Sequence, residues 1–202
     1  MIELCKLEQL DFIRFGTRTP VSFPQRINGD RELLDIFTQY GASKQFYVVT
    51  HFNHPKEFTE EAKQAITNLQ NTGVIVKNQT VLMKGINNDP KVLGQVLKKV
   101  SSWGIVQHYI FQCRPVMGVK SKFQVPLKDG VEIVRQANAM QNGLGKSADY
   151  TLSHVSGKIR VLGELNNELV FQYKQAKREE LIGEIFTMKV GNDAWLPEDL
   201  NI

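Results

Sequence analysis

The chain has 202 residues, of which 42% are hydrophobic and 23% charged, a composition that suits one globular unit able to fold without disulfides or a structural metal. The net charge of +4 arises from 25 basic and 21 acidic residues without a block of like charge, so a nucleic-acid partner is not indicated. Cys5 and Cys113 are expected to be reduced thiols. With no long apolar run and no signal-peptide pattern, we expect a cytoplasmic protein without a membrane span.

Strand-like and helix-like segments alternate along the first 140 residues. The segments 12–15, 45–50, 74–83 and 106–112 are rich in apolar, β-branched and aromatic residues, which is typical of strands buried on both faces of a parallel sheet. Helices are predicted over 30–40 and 128–140. Two more are indicated by apolar residues at helical spacing, at positions 62, 65, 66 and 69 and at positions 93, 96, 97 and 100.

Capping residues mark the ends of these helices. Thr59 is a predicted N-cap, and Asp89 followed by Pro90 provides a cap and a first-turn proline. Glycines that suit helix C-caps follow at intervals of about 30 residues. They are Gly41, Gly73, Gly104 and Gly143. Strand–helix repeats of this length predict βαβ units with right-handed crossovers.

The predicted fold class is α/β, with four parallel strand–helix units of a partial barrel followed by a β-rich C-terminal extension. A barrel or partial barrel is favoured over an open doubly wound sheet. No G-x-G-x-x-G fingerprint follows any strand, which argues against a dinucleotide-binding protein. After Gly143 the pattern changes to short strands over 148–154, 158–165 and 168–173, with a hairpin signal at Asn166–Asn167 and a weak strand over 185–190. We therefore expect a barrel portion over 1–146 and the extension over 147–202.

Polar residues follow the predicted strands, where parallel α/β folds bind ligands. They are Thr17 and Arg18 after the first strand, His51 to His54 after the second, Asn78 and Gln79 within the third, and Arg114 after the fourth. Such residues predict a small-molecule site, although solvated loop ends are also polar.

Each candidate has a structural alternative. His51 and His54 can ligate a metal or, with no acidic or cysteine partner nearby in sequence, hydrogen-bond a ligand. Asn78–Gln79 requires partners for its amides, from a ligand or from loop backbone. Arg18 and Arg114 can bind a carboxylate or phosphate, or form surface ion pairs. Lys158, beside Gly157, can form a Schiff base or be a solvated hairpin lysine.

Several of these segments resemble lysine 2,3-aminomutase and its radical S-adenosylmethionine relatives. They are IRFGTRTPV (13–21) with PQRI (24–27), THFNHP (50–55), NQTVLMKGIN (78–87) and YIFQC (109–113). Their order and spacing match over about residues 10–140, and more weakly to about 175. The resemblance implies a partial (β/α)6 barrel and a 1,2-amino shift on an amino acid.

The resemblance also implies cofactors. The family cleaves S-adenosylmethionine at a [4Fe–4S] cluster, and the resulting radical takes hydrogen from an amino acid bound to pyridoxal phosphate. By motif match, His51 and Gln79 are expected to face S-adenosylmethionine, and Lys158 to be the pyridoxal-phosphate lysine and a catalytic residue.

The chain departs from the family pattern in three places. The CxxxCxxC segment is absent, and two lone cysteines cannot hold the cluster. Arg114 stands where lysine-specific enzymes carry an aspartate, so an acidic side chain such as that of glutamate fits the substrate site better. The glycine run before the family lysine is shortened to residues 154–157. We therefore expect an aminomutase that is inactive alone, either truncated or completed by a separate N-terminal half chain. A partner or a second copy is expected to cover the exposed edge of the first strand. The alternative is a non-catalytic ligand- or partner-binding remnant of the fold.

Overall fold

The computed structural model describes residues 2–200, which form an α/β fold with eight strands in one mixed sheet. The strands are β1 (Phe12–Gly16), β2 (Gln45–Thr50), β3 (Ile75–Leu82), β4 (Val106–Gln112), β5 (Asp149–His154), β6 (Gly157–Leu165), β7 (Glu168–Ala176) and β8 (Ile185–Met188). The helices are α1 (Ile2–Cys5), α2 (Thr19–Ser22), α3 (Gln25–Asn28), α4 (Arg31–Gly41), α5 (Glu60–Asn71), α6 (Pro90–Ser102), α7 (Lys120–Phe123) and α8 (Leu127–Ala139). None of the helices within 2–200 has the length and apolarity needed to cross a bilayer.

The strands lie in the sheet in their order along the chain. Strands β1 to β5 are parallel, and β5 to β8 are antiparallel. Sequential parallel strands joined by right-handed crossovers place their helices on one face, as in barrel-type folds and unlike doubly wound sheets. Among the described residues β1 does not pair with β8, so the sheet is open.

The structure has five parallel strands where the sequence predicted four. Helix α8 is a crossover that returns the chain to β4, and β5 pairs with it in parallel through Tyr109 with Asp149 and Phe111 with Thr151. The segment predicted as a β-rich extension therefore begins with a strand of the parallel sheet. Its antiparallel strands β6 to β8 continue the same sheet.

The two faces of the sheet differ in burial. The helices cover one face, which carries buried residues such as Val48, Val76 and Ile110. The other is the polar face, defined here by Arg14, Lys77, Gln79, Tyr109 and Lys158. Burial alternates along β3, so the expectation that the strands are buried on both faces is wrong there.

Most of the predicted caps and turns are present. Thr59 Oγ1 accepts a hydrogen bond from Ala62 N, and Asp89 Oδ1 accepts one from Lys91 N. Gly73 and Gly104 follow α5 and α6 with φ of 82° and 67°, the left-handed conformation that helix C-caps require. Gly41 and Gly143 do not adopt it, since Gly41 is the last residue of α4 and Gly143 has φ of −55°.

The hairpin predicted at Asn166–Asn167 joins β6 and β7. Its two residues have φ of 51° and 64°. Positive φ at both central positions is the signature of a type I′ turn, whose twist matches that of the flanking strands.

Candidate functional site

A cavity of about 580 Å³ opens where the carboxyl ends of the parallel strands meet the start of β6. Its wall includes four of the residues that the sequence proposed for binding or catalysis, namely His51, Gln79, Arg114 and Lys158. Arg14 and Cys113 also line it. The parallel strands β1 to β4 thus bring polar groups that are distant in sequence to one small-molecule-sized space.

His51 and Gln79 are neighbours in this cavity. Burial holds the pKa of His51 below its ordinary value of 6.5, although the neighbouring Gln79 side chain favours the charged form. The charge of Arg18 lowers the pKa of His51 further. The ring is therefore neutral at pH 7 and presents one donor and one acceptor nitrogen.

The residue before Gln79 has a different role, because successive strand residues point to opposite faces. Asn78 is fully buried on the helix side, where its Oδ1 accepts from Phe52 N (2.7 Å) and its Nδ2 donates to Phe52 O (3.2 Å). Its Nδ2 also donates to Gln107 Oε1 (2.9 Å). For Asn78 the alternative of a loop clamp is correct, and the clamp fixes the backbone that follows His51.

Two further asparagines hold the same loop, and the sequence analysis did not single them out as site residues. Asn53 Oδ1 accepts from Val81 N (2.7 Å). Asn87 Nδ2 donates to Asn53 O (2.9 Å) and to Val81 O (2.8 Å). Both side chains are buried, and nothing in the polar segments around them distinguishes them from exposed loop residues.

Lys158 lies near the start of β6, opposite Ser153 of β5. Its ammonium nitrogen is 4.8 Å from the centroid of the Tyr109 ring. Burial, followed by the charges of Arg14 and Lys174, lowers the pKa of Lys158 from its usual 10.5. A larger neutral fraction makes the amine a better nucleophile toward a carbonyl, which is the property that a Schiff-base lysine needs.

Arg114 lies at the rim of the cavity and is exposed. Its Nε and Nη2 both donate to the backbone oxygen of Ser153, at 3.1 and 2.9 Å. This contact ties the loop after β4 to the end of β5 and directs a positive charge to the opening of the cavity.

The other candidates have structural roles. Arg18 forms an ion pair with Glu57 (2.7 Å), as its surface-pair alternative predicted. Glu57 in turn accepts from the backbone nitrogens of Asn53 and His54. His54 Nδ1 accepts from Lys56 N at the start of the short 3₁₀ turn Pro55–Glu57, and His54 is not part of the cavity wall.

The thiols do not form a cluster site. Cys5 lies in α1, whereas Cys113 is in the cavity wall, where burial raises its pKa and keeps it protonated. Within residues 2–200, no three histidine, cysteine or acidic side chains are grouped as metal ligands. The residues described here therefore do not fit the four-iron cluster that the resemblance implies.

Fold and cavity together define an α/β protein with a polar cavity at its strand ends. No family model matches the chain. A relative from Aquifex aeolicus, whose name provisionally assigns it as an L-lysine 2,3-aminomutase, is 33% identical over 95% of this chain and 51% of its own length. Glutamate 2,3-aminomutase of Clostridioides difficile is 37% identical, and L-lysine 2,3-aminomutase of Fusobacterium nucleatum 36% identical, each over 70% of this chain and 32% of the relative.

The chain is thus homologous to the lysine 2,3-aminomutase-like proteins, as its motifs predicted. It spans between about a third and a half of the length of these curated relatives.

Proposed function

We propose that this chain is the substrate- and cofactor-binding portion of a radical S-adenosylmethionine, pyridoxal-phosphate-dependent amino acid 2,3-aminomutase. The observation that carries the proposal is the shared cavity of His51, Gln79, Arg114 and Lys158. Each residue has a chemistry that the reaction requires. The open sheet of this chain then forms part of a (β/α)6 barrel.

Lys158 is the residue that would hold pyridoxal phosphate. When bound, this cofactor supplies a conjugated ring that delocalises an unpaired electron next to the migrating amino group. Lys158 fits because its amine faces the cavity and has a lowered pKa, which favours attack on the cofactor's aldehyde. His51 and Gln79 then offer neutral donor and acceptor atoms to S-adenosylmethionine on the opposite side of the cavity.

Arg114 is the candidate for recognition of the substrate side chain. A guanidinium at the rim attracts a carboxylate and repels the distal ammonium of lysine. Relatives named for glutamate and for L-lysine match the chain about equally, so the proposal of an acidic amino acid depends on Arg114.

We further propose that a second polypeptide covers β1. An N-terminal half chain would also supply the iron–sulfur ligands, whereas another copy of this chain would cover the strand edge only. The outer edge of β1 is unpaired within the described residues, and Phe12 on it is 56% exposed. Beside it lies an apolar groove of about 430 Å³ lined by Phe15, Ile27 and Phe37. An unpaired edge next to an apolar groove suits the addition of another strand. A monodisperse monomer at high concentration, with or without a candidate partner, contradicts this part of the proposal.

The second candidate function is a non-catalytic ligand-binding remnant of the same fold. It is favoured by the engagement of Arg114 with the Ser153 carbonyl and by the scarcity of thiols. It requires the cavity but not a reactive lysine.

Covalent labelling separates the two. The chain is incubated with pyridoxal phosphate, reduced with borohydride and digested, and the modified lysines are mapped by mass spectrometry. The aminomutase proposal predicts that the adduct forms on Lys158 at cofactor concentrations too low to label other lysines. It predicts that Lys158→Gln abolishes this adduct and that Lys98→Gln, on the exposed side of α6, leaves it unchanged. Labelling spread over surface lysines contradicts the aminomutase proposal and favours the remnant.

A further inference from the structure

The polar face carries a concentration of positive charge beyond the cavity wall. It is formed by Arg14 on β1, Lys77 on β3, Lys158 on β6 and Lys174 on β7, named here the cationic cluster. The ammonium groups of Lys158 and Lys174 both lie on the Tyr109 ring, at 4.8 and 5.4 Å from its centroid. Since like charges repel, packing alone does not account for this convergence.

The cluster is poorly compensated. Between residues 2 and 200, neither Arg14 nor Lys77 nor Lys158 forms an ion pair with a carboxylate. Lys174 pairs with Asp149, but that carboxylate also binds Arg160 Nε at 2.8 Å. The single negative charge of Asp149 is therefore shared between Lys174 and Arg160. The other three cations of the cluster have no carboxylate partner within residues 2–200.

A bulge places a histidine beside this cluster. In the pairing of β3 with β4, Asn78 is opposite Gln107 and Gln79 is opposite Tyr109, so His108 is the extra residue. Its ring centroid is 4.0 Å from that of Tyr109. Burial and the charges of Lys77, Lys158, Lys174 and Arg14 hold the pKa of His108 at about 4. The neutral ring can donate one hydrogen bond to a ligand without adding charge.

We propose that the cationic cluster and His108 form a binding site for a phosphate-class dianion on the polar face, next to Tyr109. A phosphate group suits this site better than a carboxylate, because it carries close to two charges and its three terminal oxygens can accept from several cations at once. The proposed activity is not a premise of this anion site. Arg14 and Lys158 of the cluster also line the cavity, and of the two only Lys158 has a role in the proposed reaction.

His108 reports on this site without any assay of activity. Its ring is titrated by NMR in the full chain, once in chloride and once in inorganic phosphate at equal ionic strength. Bound phosphate neutralises the cluster, so we expect the proton affinity of His108 to rise about tenfold, and to do so saturably. An equal pKa of His108 in the two buffers overturns the proposal.

Two variants and a control locate the effect. Lys77→Gln and Lys174→Gln raise the pKa of His108 in chloride, because each removes a cation, and reduce the further increase that phosphate produces. Lys98→Gln on α6 changes neither value. A phosphate effect that persists undiminished in both cluster variants overturns the proposal.

The source of the phosphate group is distinguished by separate titrations with pyridoxal phosphate, pyridoxal and glycerol phosphate. A cofactor source predicts that pyridoxal phosphate raises the pKa of His108 at the lowest concentration, and by more than pyridoxal, whose imine with Lys158 removes one cation but brings no phosphate. A phosphorylated metabolite as the source predicts an equal response to glycerol phosphate. If labelling of Lys158 fails while His108 still responds to phosphate, the aminomutase proposal fails and the anion site stands.

Discussion

Asn78 holds the backbone of Phe52 at both polar groups, accepting from its nitrogen at 2.7 Å and donating to its oxygen at 3.2 Å. Phe52 follows His51 directly, so the position of the imidazole in the cavity depends on an amide buried on the other side of the sheet. Asn78 does not line the cavity, but it fixes the backbone beside one of the residues that do.

The first prediction concerns this clamp. Asn78→Ala removes the partner of Phe52 N and of Gln107 Oε1 in the interior, whereas Phe52 O keeps the Thr80 hydroxyl, and the loss should lower the free energy of unfolding by roughly 2–4 kcal/mol. Asn71→Ala, at the exposed end of α5, is the matched control and should change it by less than about 0.5 kcal/mol. Urea denaturation measures both. Equal stability of the two variants contradicts the role assigned to Asn78.

The second prediction concerns pH. The pKa of His108 is about 4 in the folded chain against its ordinary value of 6.5, so the unfolded chain binds more protons between these values. Stability contributed by neutral His108 is complete above about pH 6.5 and is lost as the pH falls toward 4. In chloride, His108→Gln should flatten the dependence of the unfolding free energy on pH across this window. An unchanged slope contradicts the environment described for His108.

The third prediction concerns the charge of the substrate. Arg114→Asp replaces the cation at the cavity rim with an anion, so the chain loaded with pyridoxal phosphate should bind glutamate about tenfold more weakly and lysine more tightly. Arg31→Asp, in the exposed first turn of α4, changes the net charge equally and should leave both affinities unchanged. Calorimetric titration with glutamate and with lysine measures the ratio of the two dissociation constants for each variant. If Arg114→Asp and Arg31→Asp weaken glutamate binding equally, the effect is one of long-range charge, and recognition by Arg114 is ruled out.

Much of the fold was predictable because its signals are local. Apolar spacing predicted 45–50 and 106–112 with the bounds observed for β2 and β4, and Thr59 and Asp89 marked helix starts correctly. The fifth parallel strand was missed because 148–154 looks like the hairpin strands after it. Its parallel pairing depends on α8 returning the chain to β4, which is a tertiary relationship.

The site was predictable to a lesser degree. The rule that ligands bind at strand ends selected His51 and Arg114, but the assignment of Asn78 to the helix side and Gln79 to the cavity needed the register of β3. The pairing of Arg18 with Glu57 could not be predicted, because no local pattern links residues in different loops. The same is true of the cationic cluster, whose members come from four strands.

The account depends on His51, Gln79 and Lys158 belonging to one ligand site. NMR spectra of the labelled full chain, recorded during titration with S-adenosylmethionine, test this most directly. We predict saturable changes at all three residues that fit a single dissociation constant, weakened about tenfold by Gln79→Leu and unaffected by Gln95→Leu on the exposed face of α6. Changes elsewhere on the chain, or separate dissociation constants for the three residues, would contradict the account.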